Sequence, residues 1–242
     1  MKVAIITSVY YPDHSKKKYD LIVKVLNNIP DYAGVDYDLY IMNDGTEDSR
    51  LDSFMSSYSP KGFCKNITFT SRENKGITKS LNELLYQIDS SYDYICLLDL
   101  DTLVPVHWLK KCISVLNHSD EIGLCGVLVE DELPFDVQNG IRRTKEGVLF
   151  CHATSIGGAC LVFRARELKA YGWDEQLTSD HIDAYMLTRF RLDGKTTQVI
   201  LDRGYHPKEL YESEQFIQMK KDRFHEELPN FYDVTKRLKD KK

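Results

Sequence analysis

Apolar residues follow two different spacings along the first half of the chain. Strand-like patterns occupy residues 2–9, 36–42, 63–70 and 94–101, and the first and last of these are continuous apolar runs typical of strands buried on both faces. Between them, apolar residues recur at helical spacing: Leu21, Ile22, Val25, Leu26 and Ile29, then Ile77, Leu81, Leu84, Leu85 and Ile88. This alternation of strands and helices predicts a parallel, doubly wound α/β sheet.

The second half of the chain is less regular. Residues 122–129 and 159–164 have strand patterns, and the polar stretch 130–155 between them predicts a long connection of the kind that lines a binding site. Helical spacing covers 165–171 and 183–193. No repeat or low-complexity linker separates these parts, so we expect a single domain whose mixed, mostly parallel sheet is flanked by helices.

The end of the chain is strongly charged. A short strand is predicted at 196–201, and the segment from His206 onward is predicted to be helical. Residues 233–242 carry five basic and two acidic side chains. This balance favours a solvated tail, with contact to an anionic membrane as the alternative.

The composition limits the class of protein. The chain has 242 residues, 42% hydrophobic and 29% charged, a balance typical of a folded globular protein. Its formal net charge of −5 argues against a broad surface for nucleic acid. No apolar run reaches the roughly 18 residues of a membrane span, which leaves at most peripheral membrane contact. The six cysteines include no Cys-x-x-Cys pair, which predicts reduced thiols and a cytoplasmic location.

Polar residues follow three of the predicted strands. Tyr10 follows the first strand, Asn43-Asp44-Gly45-Thr46 ends the second, and Asp99-Leu100-Asp101-Thr102 ends the run at 94–101. Ligands of parallel α/β sheets bind at the carboxyl ends of the strands. These three strand ends are therefore the first candidates for a functional site.

Asp99 and Asp101 carry the strongest chemical signal. Two carboxylates two residues apart on an extended segment point the same way, and their charge beside a buried strand is costly unless a cation binds them. This pattern predicts a hard divalent cation, Mn²⁺ or Mg²⁺, that itself holds substrate phosphates. The alternative is a solvated turn in which both aspartates act as caps.

A series of motifs resembles, in order, those of family 2 glycosyltransferases with the GT-A fold: Asn43–Thr46, Asn74–Ile77 with Asn82, Leu98–Thr102, Gly157–Val162, Gly172–Glu175 and Asp180–Asp183, then Arg189, Arg191 and Gly194. The last part is most similar to the rhamnosyltransferase-like subset, although Tyr185 and Met186 stand where that subset has Glu and Trp. The resemblance spans about residues 2–206. It implies a GT-A, Rossmann-like domain at 1–206. Residues 207–242 fall outside the resemblance and are predicted to be a charged helical extension.

The resemblance also implies an activity and a set of binding residues. The activity is metal-dependent, inverting transfer of a sugar, with rhamnose as one candidate, from a UDP-, dTDP- or GDP-sugar to a hydroxyl of a glycan or glycolipid. The implied nucleotide-sugar contacts are Tyr10, Asp44, Asn74, Gly76 and Asp99. The implied metal ligands are Asp99, Asp101 and His206, and the implied acceptor-side residues are Gly158, Trp173 and Asp174.

A catalytic base is implied in the later half of the chain. Asp183 aligns with the base of the family when Arg189 and Gly194 set the register, and Asp180, three residues earlier, is the alternative. Inverting transfer needs a carboxylate that accepts the proton of the acceptor hydroxyl. The competing interpretation is that both aspartates begin the helix predicted at 183–193, where its dipole favours acidic side chains.

Two other functions compete with sugar transfer. The sequence Leu-Leu-Asp-Leu-Asp-Thr-Leu superficially resembles the nucleophile loop of haloacid dehalogenase-type phosphohydrolases, but Thr102 follows Asp99 by three residues where that loop requires four. A sugar-nucleotide or glycan-binding module that lost catalysis is the non-enzymatic alternative, since a fold does not determine a function.

Overall fold

A computed structural model describes residues 1–11, 16–129, 140–154, 156–157, 159–177, 181–205 and 232–240. The strands are β1 (Val3–Val9), β2 (Tyr37–Asp44), β3 (Cys64–Arg72), β4 (Tyr94–Leu98), β5 (Ile122–Val129), β6 (Arg142–Arg143), β7 (Leu149–His152), β8 (Cys160–Arg164) and β9 (Thr196–Gly204). The helices are α1 (Lys16–Tyr32), α2 (Ser49–Ser57), α3 (Ile77–Gln87), α4 (Trp108–Leu116), α5 (Ala165–Tyr171), α6 (Ile182–Leu192) and α7 (232–240).

The described strands form one mixed sheet in the order β3-β2-β1-β4-β8-β5-β9-β7-β6. The four strands of the first half pair in parallel, as the sequence predicts. β8 lies antiparallel between β4 and β5, so β5 runs in the same direction as β4. β9 is parallel to β5. The hairpin of β6 and β7 supplies the last two strands of the sheet, with β7 antiparallel to β9.

The sheet is buried on both faces because its strands carry apolar residues at successive positions. Val3 and Ile5 of β1 face one core layer, and Ala4 and Ile6 face the other. Helices α1, α2 and α4 cover the first layer, and α3, α5, α6 and α7 cover the second. The architecture is a single α/β domain with helices on both sides of the sheet, which confirms the predicted fold class.

Two expectations about the second half are wrong in part. The stretch 130–155, predicted as one long connection, contains β6 and β7 among its described residues. The predicted solvated tail is also wrong for α7, because its Val234 and Leu238 are buried in the second core layer. The rest of the predicted extension 207–242, apart from 232–240, lies outside the described residues. None of the described helices combines the length and apolarity that crossing a bilayer requires.

Candidate functional site

The carboxyl ends of β1, β2 and β4 meet at one edge of the sheet. Val9 is level with Asn43 of β2, and Ile6 is level with Leu97 of β4. The residues that follow these strands therefore start from neighbouring positions. We call this the carboxyl edge, and it brings together the strand-end segments singled out in the sequence.

The two polar residues at the end of β2 serve different neighbours. The Asn43 side chain donates to Thr46 O at 3.1 Å and accepts from Thr46 N at 2.8 Å, which closes the turn after the strand. Asp44 is 2% exposed and reaches the segment before α3. Its carboxylate accepts from the backbone amides of Lys75 and Gly76, both at 3.0 Å.

An arginine at the end of β3 completes the surroundings of Asp44. Arg72 donates from Nε to Asp44 Oδ1 at 3.1 Å and from Nη2 to Ser80 Oγ at 2.7 Å, and it also pairs with Glu83. Asp44 is thus the anchor that holds the start of α3 at the carboxyl edge. If Asp44 contacts a nucleotide, as the sequence predicts, it does so in addition to these hydrogen bonds within the protein.

Glycines allow this close packing. Gly45 has φ +90°, and a Cβ built there would lie 2.6 Å from the backbone nitrogen of Asn74. Gly76, at φ +92°, precedes the first residue of α3. Asn74 is exposed, and its Oδ1 accepts from Gly76 N at 3.1 Å. The two predicted nucleotide-binding residues Asn74 and Gly76 therefore lie at the carboxyl edge, beside Asp44.

Tyr10 is half-buried, and the residue after it fixes the loop that follows β1. The Tyr11 amide donates to Thr46 Oγ1, and its hydroxyl donates to Asp48 Oδ2, both at 3.0 Å. Asp48 also caps α2 by accepting from the Arg50 amide at 3.0 Å. These contacts tie the loop after β1 to the loop after β2 and so position Tyr10 at the carboxyl edge.

Asp48 makes the stability of these loops dependent on pH. Its hydrogen bond from the Arg50 guanidinium, with help from the Arg50 amide and the Tyr11 hydroxyl, lowers its pKa from 3.8 to about 2. Because the folded-state pKa is depressed, this stabilisation is complete above about pH 4 and is lost as the pH falls toward 2.

We expect Asp48→Asn to lower the free energy of unfolding by about 1–2 kcal/mol at neutral pH, a figure kept below the full linkage value because Arg50 is partly solvated. Urea unfolding of both proteins at pH 7, 5 and 3 measures this. The difference should be equal at pH 7 and 5 and fall to about half at pH 3. A difference that stays constant down to pH 3 would contradict the assignment.

The segment after β4 is a turn and not the extended strand end predicted from the sequence. Thr102 N donates to Asp99 O at 3.2 Å, and Asp99 N donates to Ala159 O at 2.9 Å, beside β8. The prediction that Asp99 and Asp101 point the same way because the segment is extended is therefore wrong in its reasoning. Both side chains are half-buried at the carboxyl edge, immediately after the fully buried β4.

A lysine that the sequence analysis did not single out contacts Asp101. Lys18, in the first turn of α1, places its Nζ 2.6 Å from Asp101 Oδ2. The side chains are only 12% and 16% exposed. An ammonium group thus lies on the carboxylate for which the sequence predicts a metal ion.

The residues present fit the predicted divalent cation. Asp99 and Asp101 supply carboxylate oxygens, the donors that Mg²⁺ and Mn²⁺ prefer. Asp101 already pairs with a positive charge, the Lys18 ammonium. Among the described residues, His, Cys, Asp and Glu form no group of three that could hold a metal ion. The third predicted ligand, His206, lies outside the described residues.

The residue before His206 is firmly placed. Leu103 and Tyr205 form an antiparallel bridge, with Leu103 N to Tyr205 O and Tyr205 N to Leu103 O both at 2.8 Å. Leu103 is two residues after Asp101. The chain therefore passes the segment after β4 immediately before it reaches residue 206.

The direction of α6 determines where Asp183 lies. Near the end of this helix, Phe190 packs on Gly123 at the start of β5, where an added Cβ would lie 2.2 Å from Phe190 Cδ1. Arg191 donates to Thr154 O, just beyond β7. Both contacts lie at the end of the sheet opposite the carboxyl edge. Gly123 is at the start of β5, which runs parallel to β4, and Thr154 follows the end of β7, which runs antiparallel to β9.

The first turn of α6, with Asp183, is therefore directed toward the carboxyl edge. Asp183 is half-buried and accepts from the amide of Ala184 at 2.7 Å. The alternative base, Asp180, lies outside the described residues. The Arg189 guanidinium lies 4.8 Å from the Tyr171 ring centre, so Arg189, like Arg191, has a contact within the protein.

The predicted acceptor-side residues lie on a loop that runs along α3. Trp173 is bound at both backbone groups by the Asn82 side chain, at 2.9 Å and 2.8 Å. Further along, Leu177 O accepts from Thr78 Oγ1 at 2.5 Å, in the first turn of α3. The loop thus leads from the middle of α3 to its start at the carboxyl edge. Gly158 lies outside the described residues.

Asp174 connects this loop to α7. Its Oδ2 accepts from Arg237 Nη2 at 3.2 Å, and the same Nη2 donates to Gln176 Oε1 at 2.7 Å. Arg237 could not be singled out from the sequence, because a basic residue in a charged segment gives no signal of a specific partner. Lys18 was missed for the same reason, since it is one of three consecutive lysines.

Solved structures of similar fold include one that is named as a mannosyltransferase. TarS of S. aureus, residues 1–349, matches with a TM-score of 0.61 and 14% identity over 85% of this chain and 60% of that chain. GalNAc-T7, solved with UDP, GalNAc and Mn²⁺, matches with a TM-score of 0.62 and 10% identity over 85% and 44%. The mannosyltransferase PcManGT from Pyrobaculum calidifontis, solved with GDP-Man and Mn²⁺, matches with 0.59 and 16% over 86% and 58%. No curated protein matches the chain in sequence.

The fold is therefore the GT-A fold of glycosyltransferases. The family model described as Glycosyl transferase family 2 matches residues 14–197, which include every described strand and helix from α1 to α6. The chain belongs to glycosyltransferase family 2. It covers between 44% and 60% of the length of the three solved relatives.

Proposed function

We propose that this protein is a metal-dependent, inverting glycosyltransferase that moves a sugar from a nucleoside diphosphate donor to a hydroxyl of a glycan or glycolipid. The observation that carries the proposal is the half-buried Asp101 carboxylate at the carboxyl edge of a family 2 chain. This carboxylate pairs with the Lys18 ammonium, so its position favours a positive charge. Relatives of the same fold were solved with UDP or GDP-Man together with Mn²⁺.

The nucleotide would lie across the carboxyl edge. Tyr10 would contact the base, Asp99 the ribose, and the segment Asn74–Gly76 would line the same side. Asp44 would act mainly by holding that segment, because its oxygens already accept from two backbone amides and from Arg72. UDP-, GDP- and dTDP-sugars, the last including rhamnose donors, are the candidates.

Asp99, Asp101 and His206 would hold Mn²⁺ or Mg²⁺ at the diphosphate. When bound, such an ion acts as a Lewis acid that stabilises the negative charge developing on the departing nucleoside diphosphate. Tyr205 supports the choice of His206, because it pairs with Leu103 two residues beyond Asp101.

Asp183 would be the catalytic base. Its carboxylate would accept the proton of the acceptor hydroxyl as that oxygen attacks the anomeric carbon from the side opposite the diphosphate, which inverts the configuration. The direction of α6 supports this role. Asp180 is the alternative, and Trp173, Asp174 and Gly158 would contact the acceptor.

The cell compartment proposed is the cytoplasm, with peripheral membrane contact where a glycolipid is the acceptor. All six cysteines are buried and free, which is typical of proteins from reducing compartments. Lys236 and Lys239 on the exposed side of α7 offer a modest basic surface for such contact.

A thermal-shift screen tests the proposal. The protein is heated with UDP, GDP or dTDP, each with Mn²⁺ or with EDTA, and donor hydrolysis is then assayed with the matching nucleotide sugars. We expect one nucleotide to raise the melting temperature much more with Mn²⁺ than with EDTA, and its sugar donor to be hydrolysed. Stabilisation without hydrolysis would instead favour a non-catalytic binding module, and phosphate release from simple phosphomonoesters would favour a phosphohydrolase.

A further inference from the structure

Lys18 lies on the carboxylate that the proposed function assigns to the metal ion. Its Nζ is 2.6 Å from Asp101 Oδ2, a short, charge-assisted contact between two largely buried side chains. Burial strengthens such a pair, because less water screens the charges. A divalent cation that binds Asp101 must therefore compete with this ammonium.

The described start of α1 is basic. Lys16, Lys17 and Lys18 form the first described turn of α1, which contains no acidic residue. Cations at the start of a helix are unfavourable because the helix dipole is positive there. An anion beside this turn, such as the Asp101 carboxylate or a diphosphate, offsets that cost.

Lys16 and Lys17 differ from Lys18 in their exposure. Both are exposed, whereas the Lys18 ammonium is held in the partly buried edge of the sheet. The side chain of Lys18 has four flexible methylene groups, so its charge can move several ångströms without a change in the backbone. A diphosphate bound at the carboxyl edge would lie within that range.

We propose that Lys18 is the resident counter-ion of Asp101 and couples metal binding to diphosphate binding. Before the donor arrives, Lys18 neutralises Asp101 and weakens the binding of free Mn²⁺. When a diphosphate binds, Lys18 moves to the phosphate oxygens and leaves Asp101 to the metal ion. This inference rests on the proposed function, since it assumes that the metal and the diphosphate share this edge.

The test uses the full chain and two simple probes, Mn²⁺ alone and inorganic pyrophosphate in EDTA, so that the unknown nucleobase and sugar do not matter. Calorimetry measures both affinities for the wild type and for Lys18→Met, which keeps the length of the side chain and removes its charge. We expect Lys18→Met to bind Mn²⁺ about tenfold more tightly and pyrophosphate about tenfold more weakly, because each changes by roughly one charge–charge contact in a partly buried site.

Two variants serve as controls. Lys17→Met removes the same charge from an exposed neighbour and should change neither affinity by more than about twofold, given the screening of exposed charges. Lys18→Arg keeps the charge and should restore weak Mn²⁺ binding. Thermal unfolding of each variant confirms that it is folded.

The outcomes separate this inference from the proposed function. If wild-type protein binds Mn²⁺ with pyrophosphate but Lys18→Met has unchanged or weaker Mn²⁺ affinity, the counter-ion role is wrong and the proposed function stands. If wild-type protein binds neither probe, alone or together, both are wrong.

Discussion

Asp101→Asn is expected to abolish metal-dependent binding of the nucleoside diphosphate. The substitution keeps the shape of the side chain but removes the charge that attracts a cation at the end of β4. Loss of a charged metal ligand costs several kcal/mol, so diphosphate affinity in Mn²⁺ should fall about 100-fold or more, to the level measured in EDTA. Calorimetric titration with the nucleotide selected by the thermal-shift screen measures this effect.

Asp36→Asn is the matched control. Asp36 is a 66% exposed carboxylate that directly precedes β2 and pairs with Lys65, so the same change in charge is made at the end of the sheet opposite the carboxyl edge. It should leave diphosphate affinity unchanged. If Asp101→Asn bound the diphosphate like the wild type both with and without Mn²⁺, the metal assignment would be wrong.

Asp183→Asn is expected to stop sugar transfer while leaving the donor bound. General-base catalysis contributes about 10²–10⁴ in rate, and turnover should fall by that factor because asparagine cannot accept the proton. Hydrolysis of the nucleotide sugar, in which water takes the place of the acceptor, is the assay. Donor affinity should remain within about twofold of the wild type, since Asp183 lies on α6 and outside the nucleotide contacts.

Asp193→Asn provides the comparison on the same helix. Asp193 follows the last turn of α6, at the opposite end from Asp183, where it accepts from the Tyr171 hydroxyl. Its substitution should leave turnover close to that of the wild type. Near-normal turnover of Asp183→Asn would assign the base to Asp180 or to another group.

The strands of the first half could be predicted because their burial requires continuous apolar sequence. β1 and β4 have residues facing both core layers, and no other pattern of apolar positions would give the same burial. The antiparallel direction of β8 could not be predicted, because a buried strand has the same composition in either direction. The turn at 99–102 was also missed, since it depends on a hydrogen bond from Thr102 to Asp99 and not on composition.

Two helices were not predicted for opposite reasons. α2 contains four serines and buries only Leu51 and Met55, so its helical spacing is weak. α4 buries six of its nine residues, and it begins after His107, whose φ of 60° is uncommon for a residue other than glycine.

The site was predicted best where motifs carry the chemistry and least where tertiary contacts do. Asp44 and Asp99 lie at the carboxyl edge, where the sequence predicted a functional site, and Asn74 and Gly76 lie beside Asp44, while the binding roles of all four stay predictions. The contact of Lys18 with Asp101 joins residues 83 positions apart, and the contact of Arg237 with Asp174 joins residues 63 positions apart. Neither pair follows from local spacing, because only the fold brings those charges together.

The proposed function depends most on a divalent ion held at the end of β4 and facing the start of α6. A crystal structure with Mn²⁺ and the bound nucleoside diphosphate, with anomalous data collected for manganese, locates that ion directly. We predict an anomalous peak at about 2.0–2.6 Å from an Asp101 oxygen, in contact with the diphosphate and on the side toward Asp183. A peak coordinated by other residues, or Asp183 directed away from the bound diphosphate, would contradict it.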